Sequence, residues 1–262
     1  MANSNYRIET KCVQGGYTPG NGEPRQIPII QSTTFKYASS AEMGKLFDLE
    51  ATGYFYTRLQ NPTNDSVAAK ICDMEGGSAA MLTSSGQAAN FFAIFNIASC
   101  GDHVIASSTI YGGTYNLFSV TLKRMGIDFT FVSPDSSEEE LHAAFRENTK
   151  AVFGETIANP ALTVLDIELF AKVAHEHGVP LIIDNTFATP VNCRPFEWGA
   201  DIVTHSTTKY MTDTARLLAD VSLTRASSIG PSTPRSSPAS ALPTRATTAL
   251  PTPSASVLRA RL

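Results

Sequence analysis

Three stretches of this chain bring together residue types that could do chemistry in concert. The first is "DIVTHSTTKY", where Lys209 follows an apolar, β-rich run and stands among the hydroxyls of Ser206 and Thr208, with Tyr210 beside it. Most lysines are solvated surface residues. Partial burial here would favour the neutral amine, which is a nucleophile toward a carbonyl. The second is "PLIIDNTFATP", which sets Asp184 at the end of an apolar strand. A carboxylate in such a place needs a cationic partner, because a lone buried charge is costly. An aspartate that only caps the following turn would look the same. The third is "TSSGQAAN", with Ser85, Gly86 and Gln87 at a helix start. Free backbone N–H groups and the helix dipole favour a phosphate there, although any helix N-cap uses similar residues. Ser206 and Thr208, two apart at a strand end, would point the same way and add hydroxyl donors. A lysine that can condense with an aldehyde, a carboxylate facing a protonated pyridine nitrogen and a phosphate cup are the three parts of a pyridoxal 5'-phosphate site.

These residues must be carried by regular elements. "PTNDSVAAKICDMEG" reads as a capped helix, with Pro62 and Thr63 at its start and Gly76 past its end. "SAAMLTSSG" reads as a strand ending in a turn, and "QAANFFAIFNIAS" as a helix. "HVIASS", "DFTFVS", "AVFGE", "PLIIDN" and "DIVTHS" are short β-rich runs, separated by helical stretches such as "EEELHAAFRE" and "IELFAKVAHEHG". The repeated β-α-β order predicts an α/β fold, a mostly parallel sheet with helices on both faces. Ligands then bind beyond the carboxyl ends of the strands. Those ends carry Ser84-Ser85-Gly86, Tyr111, Glu155 to Asn159, Asp184-Asn185-Thr186 and His205 to Lys209. Residues 1–60, rich in turn signals such as "QGGYTPGNGEPR", read as an irregular arm.

Six ordered motifs, "YFYTRLQNPT", "TSSGQAA", "IYGGTYNLF", "ETIANPAL", "IIDNTFATP" and "HSTTKY", resemble the Cys/Met-metabolism family of pyridoxal-phosphate enzymes over residues 5–211. The resemblance implies the large domain of the fold type I PLP-dependent transferases. It implies that Lys209 carries the cofactor covalently and moves protons during the reaction. Asp184 then faces the pyridine nitrogen, and Tyr111 stacks on the cofactor ring. Ser85, Gly86, Gln87, Ser206 and Thr208 form the phosphate cup. Asn159 lies beside the ring oxygen, and Tyr56 and Arg58 reach the phosphate of a neighbouring subunit. No role is assigned to Glu155. The resemblance also implies a small amino-acid substrate, a cytoplasmic location and a homotetramer of two catalytic dimers.

Within the family, "IYGGTYNLF" and "QNPTNDSVAAKI" look most like the homocysteine-forming sulfhydrylases, which act on O-acetyl-L-homoserine and sulfide. Gly113 stands where methionine γ-lyases often carry a cysteine, which favours the sulfhydrylases; γ-lyase or cystathionine-type elimination is the alternative, since this is a single position. A reading of a different class is an inactive fragment whose basic tail binds an acidic partner.

The bulk composition fits an ordinary globular protein: 262 residues, 42% hydrophobic, net charge −4. That balance argues against a nucleic-acid surface. Cys12, Cys72, Cys100 and Cys193 are widely spaced, and no pattern suggests a metal site. His175 and His177, two apart on a helix, face different directions. No signal-peptide core or membrane-length apolar run is present. The composition breaks after Met211. Residues 212–262 hold six arginines against Asp213 and Asp220, no lysine, no aromatic residue and six of the fifteen prolines. This segment, of charge +4 against −8 for the rest, is expected to be disordered. The domains are therefore expected as 1–60, 61–211 and 212–262. A frameshift near residue 212 is the expected cause of the break. Codons allowed for "TDTARLLADV", read one base out of step, spell "GHGTAVGGR", and those for "SLTRASSIG" spell "VIDAGKFDW", both like the family's continuation. The family's second, smaller domain and its substrate-carboxylate arginine are then expected to be missing, with weak or no activity.

Overall fold

The computed structural model describes residues 6–211 and 220–224. The arm, expected to be irregular throughout, contains two short helices, α1 (Ile8–Gln14) and α2 (Ser40–Phe47). It is tied to helix α3 (Pro62–Glu75) by an ion pair between Lys11 and Asp73 at 3.2 Å. Asn61 caps α3, its Oδ1 accepting the Thr63 N–H at 2.9 Å, while its Nδ2 donates to the Ile30 carbonyl of the arm at 3.0 Å. Gly76 ends the helix at φ +76°, a left-handed conformation that glycine adopts without steric cost.

Strand β1 (Ala79–Thr83) then leads into α4 (Gly86–Phe95), followed by β2 (His103–Ser107). Helix α5 (Gly112–Asn116) runs on as a π-helical segment, Leu117–Leu122, which buries Phe118 and Leu122. The chain continues through β3 (Asp128–Val132), α6 (Glu138–Ala144), β4 (Thr149–Glu155), α7 (Ile167–Glu176) and β5 (Leu181–Asp184). It ends through the short α8 (Thr189–Asn192), a 3-10 turn at Pro195–Trp198, β6 (Ile202–Ser206) and β7 (Asp220–Thr224). Among the described residues no helix is long and apolar enough to cross a membrane.

The seven strands lie in the order β1-β7-β6-β5-β4-β2-β3. Strands β3, β2, β4, β5 and β6 pair in parallel, and β7 is antiparallel to both of its neighbours. Strand β7 corrects the expectation of disorder from residue 212 onward. The five residues "DVSLT" fill the space between β1 and β6 and give both strands backbone partners, with Leu223 fully buried. Two unpaired strand edges in a sheet centre would cost more than ordering five residues that include β-forming Val221 and Leu223. The rest of the expected tail lies outside the described residues.

Alternation along the strands sorts their residues between two cores. Val152, Leu181, Ile183 and Val203 pack with Ile71, Leu141 and Phe170 on the face covered by α3, α6 and α7. Ala151, Phe153, Ile182 and Ile202 pack with Ile94, Phe118 and Leu122 on the face covered by α4 and α5.

Candidate functional site

The same alternation continues into the strand ends, where apolar residues give way to polar ones. On the α4 face, Glu155, Asp184, Thr204 and Ser206 end β4, β5 and β6 in sequence. Asp184 is held from three sides. Asn90 of α4, almost fully buried, donates from Nδ2 to Asp184 Oδ2 at 3.0 Å. Asn90 is itself fixed by the Thr204 hydroxyl, which donates to its Oδ1 at 2.6 Å. Asp184 Oδ1 accepts from the Thr186 N–H at 3.0 Å and the Thr186 hydroxyl at 2.5 Å. That hydroxyl in turn accepts the Ser206 N–H at 2.7 Å.

Ser206 reaches the start of α4. A Cβ placed on Gly86 would lie 2.8 Å from Ser206 Cβ, so the two segments approach this closely only because residue 86 has no side chain. Ser85 caps α4, its Oγ accepting the Ala88 N–H at 3.1 Å. Gln87 donates from Nε2 to the Thr114 hydroxyl at 3.1 Å, which ties α4 to α5. The predicted phosphate-cup residues Ser85, Gly86, Gln87 and Ser206 therefore share one neighbourhood. Thr207 and Thr208 add buried Oγ1 atoms with no hydrogen-bond partner among the described residues. Buried hydroxyls of that kind need a partner, and the start of α4 suits a phosphate.

Tyr111 is half exposed at the start of α5, with its ring over Gly113; a Cβ there would stand 2.6 Å from the ring. Its backbone N–H donates to Glu155 Oε1 at 2.7 Å. Glu155, 8% exposed, ends β4 directly opposite Asp184 in the parallel register. Its carboxyl is pushed up to about 8, first by burial and then by the Asp184 charge. Asn159 is exposed in the loop after β4. Lys209 lies in the turn beyond β6, its N–H donating to the Ser206 carbonyl at 3.2 Å. Its side chain is exposed rather than partly buried as expected, because the turn carries it past the end of the sheet. Tyr56 and Arg58 sit on the arm, the Arg58 guanidinium 5.0 Å from the Tyr56 ring centre. Both are exposed and hydrogen-bonded to none of the other site residues named here.

A second polar layer lies on the α3 face. Glu75 Oε1 accepts from His205 Nε2 at 2.5 Å and from Asn185 Nδ2 at 2.9 Å, and Asn185 Oδ1 accepts from the Thr156 hydroxyl at 2.8 Å. All four residues are buried. Each of Thr156, Asn185 and His205 is the chain neighbour of a residue on the other face, so this layer fixes the strand ends from behind. His205 is thus an anchor of the strand end. His175 and His177 part company: His175 bonds Asp201 at 2.8 Å, while His177 bonds His142 at 2.9 Å. Sequence reasoning missed Asn90, Thr114, Thr204 and Glu75, whose partners are distant in the chain.

Residues 9–244 match the family model described as Cys/Met metabolism PLP-dependent enzyme. The chain is 47% identical over 206 residues to an O-acetyl-L-homoserine sulfhydrylase of Corynebacterium glutamicum, covering 78% of this chain and 47% of the relative. It is 45% identical over 200 residues to a homocysteine/cysteine synthase of Saccharomyces cerevisiae, covering 75% and 45%. The chain spans about half the length of the curated relatives it matches. Among solved structures, a candidate O-acetylhomoserine (thiol)-lyase of Campylobacter jejuni, which carries a pyridoxyl-lysine phosphate, superposes with a TM-score of 0.81 at 35% identity, covering 85% of this chain and 55% of that one. A cystathionine gamma-lyase of Lactobacillus plantarum gives 0.75 at 34% identity, covering 84% and 55%. The chain belongs to the Cys/Met metabolism PLP-dependent enzyme family.

Proposed function

We propose that this chain carries the cofactor half of an enzyme that replaces the γ-substituent of an O-acylated homoserine with sulfide, forming L-homocysteine. The observation that carries the reading is the fixed carboxylate of Asp184, held by Asn90 and Thr186 and joined through Ser206 to the glycine-led start of α4. A carboxylate at one anchoring point and free backbone N–H groups at the other suit a ligand with a basic ring nitrogen at one end and a phosphate at the other. When bound, pyridoxal 5'-phosphate supplies an aldehyde and a protonated pyridine ring that draws electrons from substrate carbons.

The chain's own residues supply the rest. Asp184 keeps the ring nitrogen protonated through a charge-assisted hydrogen bond. Backbone N–H groups at the start of α4, with Ser206 and Thr208, hold the phosphate. Tyr111 covers one face of the ring. Lys209 Nζ would hold the cofactor through its aldehyde carbon, and as a free amine it would move protons at Cα and Cβ of the substrate. Asn159 orients the ring oxygen. Tyr56 and Arg58, exposed on the arm, serve a neighbouring subunit in a homotetramer.

The substrate class rests on identities of 42–47% to proteins named O-acetyl-L-homoserine sulfhydrylase. Gly113 favours the same reading over a γ-lyase, since a cysteine there would displace the Tyr111 ring. The test is a pair of assays on the polypeptide with its reading frame restored, loaded with cofactor: sulfide-dependent homocysteine formation against release of 2-oxobutyrate. An absorbance band near ~420 nm, expected from the lysine-linked cofactor, should vanish in Lys209→Ala. A band that persists in that variant, or 2-oxobutyrate as the main product, overturns the proposal.

A further inference from the structure

Glu155 has no part in the scheme above, yet it is buried between two residues that do. Its Oε1 accepts the Tyr111 N–H at 2.7 Å, and its strand position pairs with that of Asp184. Tyr111 is the residue that opens α5, and no side chain of its own turn caps that helix. Glu155 therefore reaches from β4 to the helix start and fixes the backbone from which the Tyr111 ring projects.

The groups facing Glu155 can be named from each neighbouring element. Asp184 faces it from β5 and is its charged neighbour; Tyr111 faces it from α5; the Asn159 backbone faces it from the loop after β4. No cation is ion-paired to it among the described residues, and Lys209 beyond β6 makes no such contact. Two carboxyl groups on adjacent buried strand ends do not both ionise easily. We infer that Glu155 is a positioning residue: it holds Tyr111 over the pocket, and the strength of that hold answers, through Asp184, to the positive charge of a bound pyridinium. The inference rests on the proposed cofactor reading.

The coupling has a definite direction. With Asp184 unpaired, Glu155 is favoured as the neutral acid and offers Tyr111 an ordinary acceptor. Once a pyridinium pairs with Asp184, the repulsion falls and Glu155 loses its proton more readily. An ionised carboxylate accepts a stronger hydrogen bond, so binding tightens the grip on Tyr111. Binding therefore releases a proton. By reciprocity, cofactor affinity rises with pH up to about 8, where unliganded Glu155 titrates.

The experiment uses the full chain and pyridoxamine 5'-phosphate, which lacks the aldehyde and so leaves Lys209 out of the proton count. Its affinity is measured by fluorescence from pH 6 to 9 in the parent chain, in Glu155→Gln and in Glu155→Ala. Glu155→Gln keeps an acceptor oxygen but cannot ionise. The parent should tighten by up to about tenfold per pH unit below 8 relative to Glu155→Gln, the limit for one linked proton. The Tyr111 amide should exchange slowly in the parent and in Glu155→Gln, and at least tenfold faster in Glu155→Ala. Titration of the ¹³C-labelled Glu155 carboxyl without ligand supplies a readout that needs no cofactor. Identical pH slopes in the parent and Glu155→Gln, or a carboxyl that titrates in the ordinary range, overturn the inference. Failure of the parent to bind the probe refutes the cofactor reading and with it the coupling. In that case Tyr111 amide exchange still decides the positioning role.

Discussion

Replacing Glu75 by alanine should be among the most damaging single changes in this fold, though Glu75 lies on the sheet face opposite the candidate site. Its carboxylate is 1% exposed and accepts two hydrogen bonds, from His205 at 2.5 Å and from Asn185 at 2.9 Å. Asn185 keeps a second acceptor, the Cys193 carbonyl at 2.9 Å. His205 does not: its Nδ1 has no partner among the described residues, so Glu75→Ala leaves the buried ring with neither nitrogen bonded to them. Hydrogen bonds to charged groups contribute about 1.5–3 kcal/mol each, and breaking a buried pair by removing one member costs about 3–5 kcal/mol. The expected loss is about 4 kcal/mol, a large share of the roughly 5–15 kcal/mol by which such domains are stable. Glu75→Gln retains an acceptor oxygen and should lose about half as much. The assay is urea unfolding of the cofactor-free chain, followed by circular dichroism, with equal slopes required before midpoints are compared. His205→Ala should cost about as much as Glu75→Ala, and the double variant clearly less than their sum. A loss below about 1 kcal/mol for Glu75→Ala, or strict additivity in the cycle, would refute the idea that this pair anchors the strand ends.

Gly86→Ala should weaken pyridoxal 5'-phosphate binding by at least about tenfold while the chain stays folded, because the new methyl meets Ser206 Cβ at 2.8 Å and pushes the two halves of the anion site apart; unchanged affinity by fluorescence titration would contradict the assignment. His103, fully buried between Thr149 and Thr130 at 2.8 Å from each, is pushed down to about 4 by burial and then by Arg146. The unfolded chain binds its proton first, so stability should fall with pH from about 6.5 to about 4, by at most about 1.4 kcal/mol per unit, and His103→Gln should flatten that dependence. Glu155 acts with the opposite sign: its raised carboxyl favours the folded state at low pH and loses that contribution as pH rises through about 8, a slope that Glu155→Gln should remove. The nucleotide sequence should show one base missing beside the Met211 codon; if no single-base insertion restores a long open frame, the frameshift reading fails.

Much of the molecule was legible from local pattern. The five parallel strands and the helices between them carry their periodicity in 4–14 consecutive residues, and Asp184 and Ser206 stand where apolar strands end. Helix α3 announces itself through Asn61, Pro62 and Gly76, which act within a turn of their own positions. Other features had no local signal. Helices α1 and α2 are short, and α1 owes its place to contacts with the body, such as Lys11 with Asp73 across 62 residues of chain.

Strand β7 shows the limit from the other side. Composition alone read residues 212–262 as unable to fold. It could not reveal that two strands, β1 and β6, would leave a slot between them that any short alternating run could fill. The candidate site divides the same way. Sequence by itself determined which residues could do chemistry, because lysine, carboxylate and glycine-led helix start are properties of residue type and neighbours. Only the tertiary structure decided what holds them. Asn90 reaches Asp184 across 94 residues and Glu75 reaches His205 across 130, and hydrogen bonds at that separation exist only once the sheet has brought its strand ends into line.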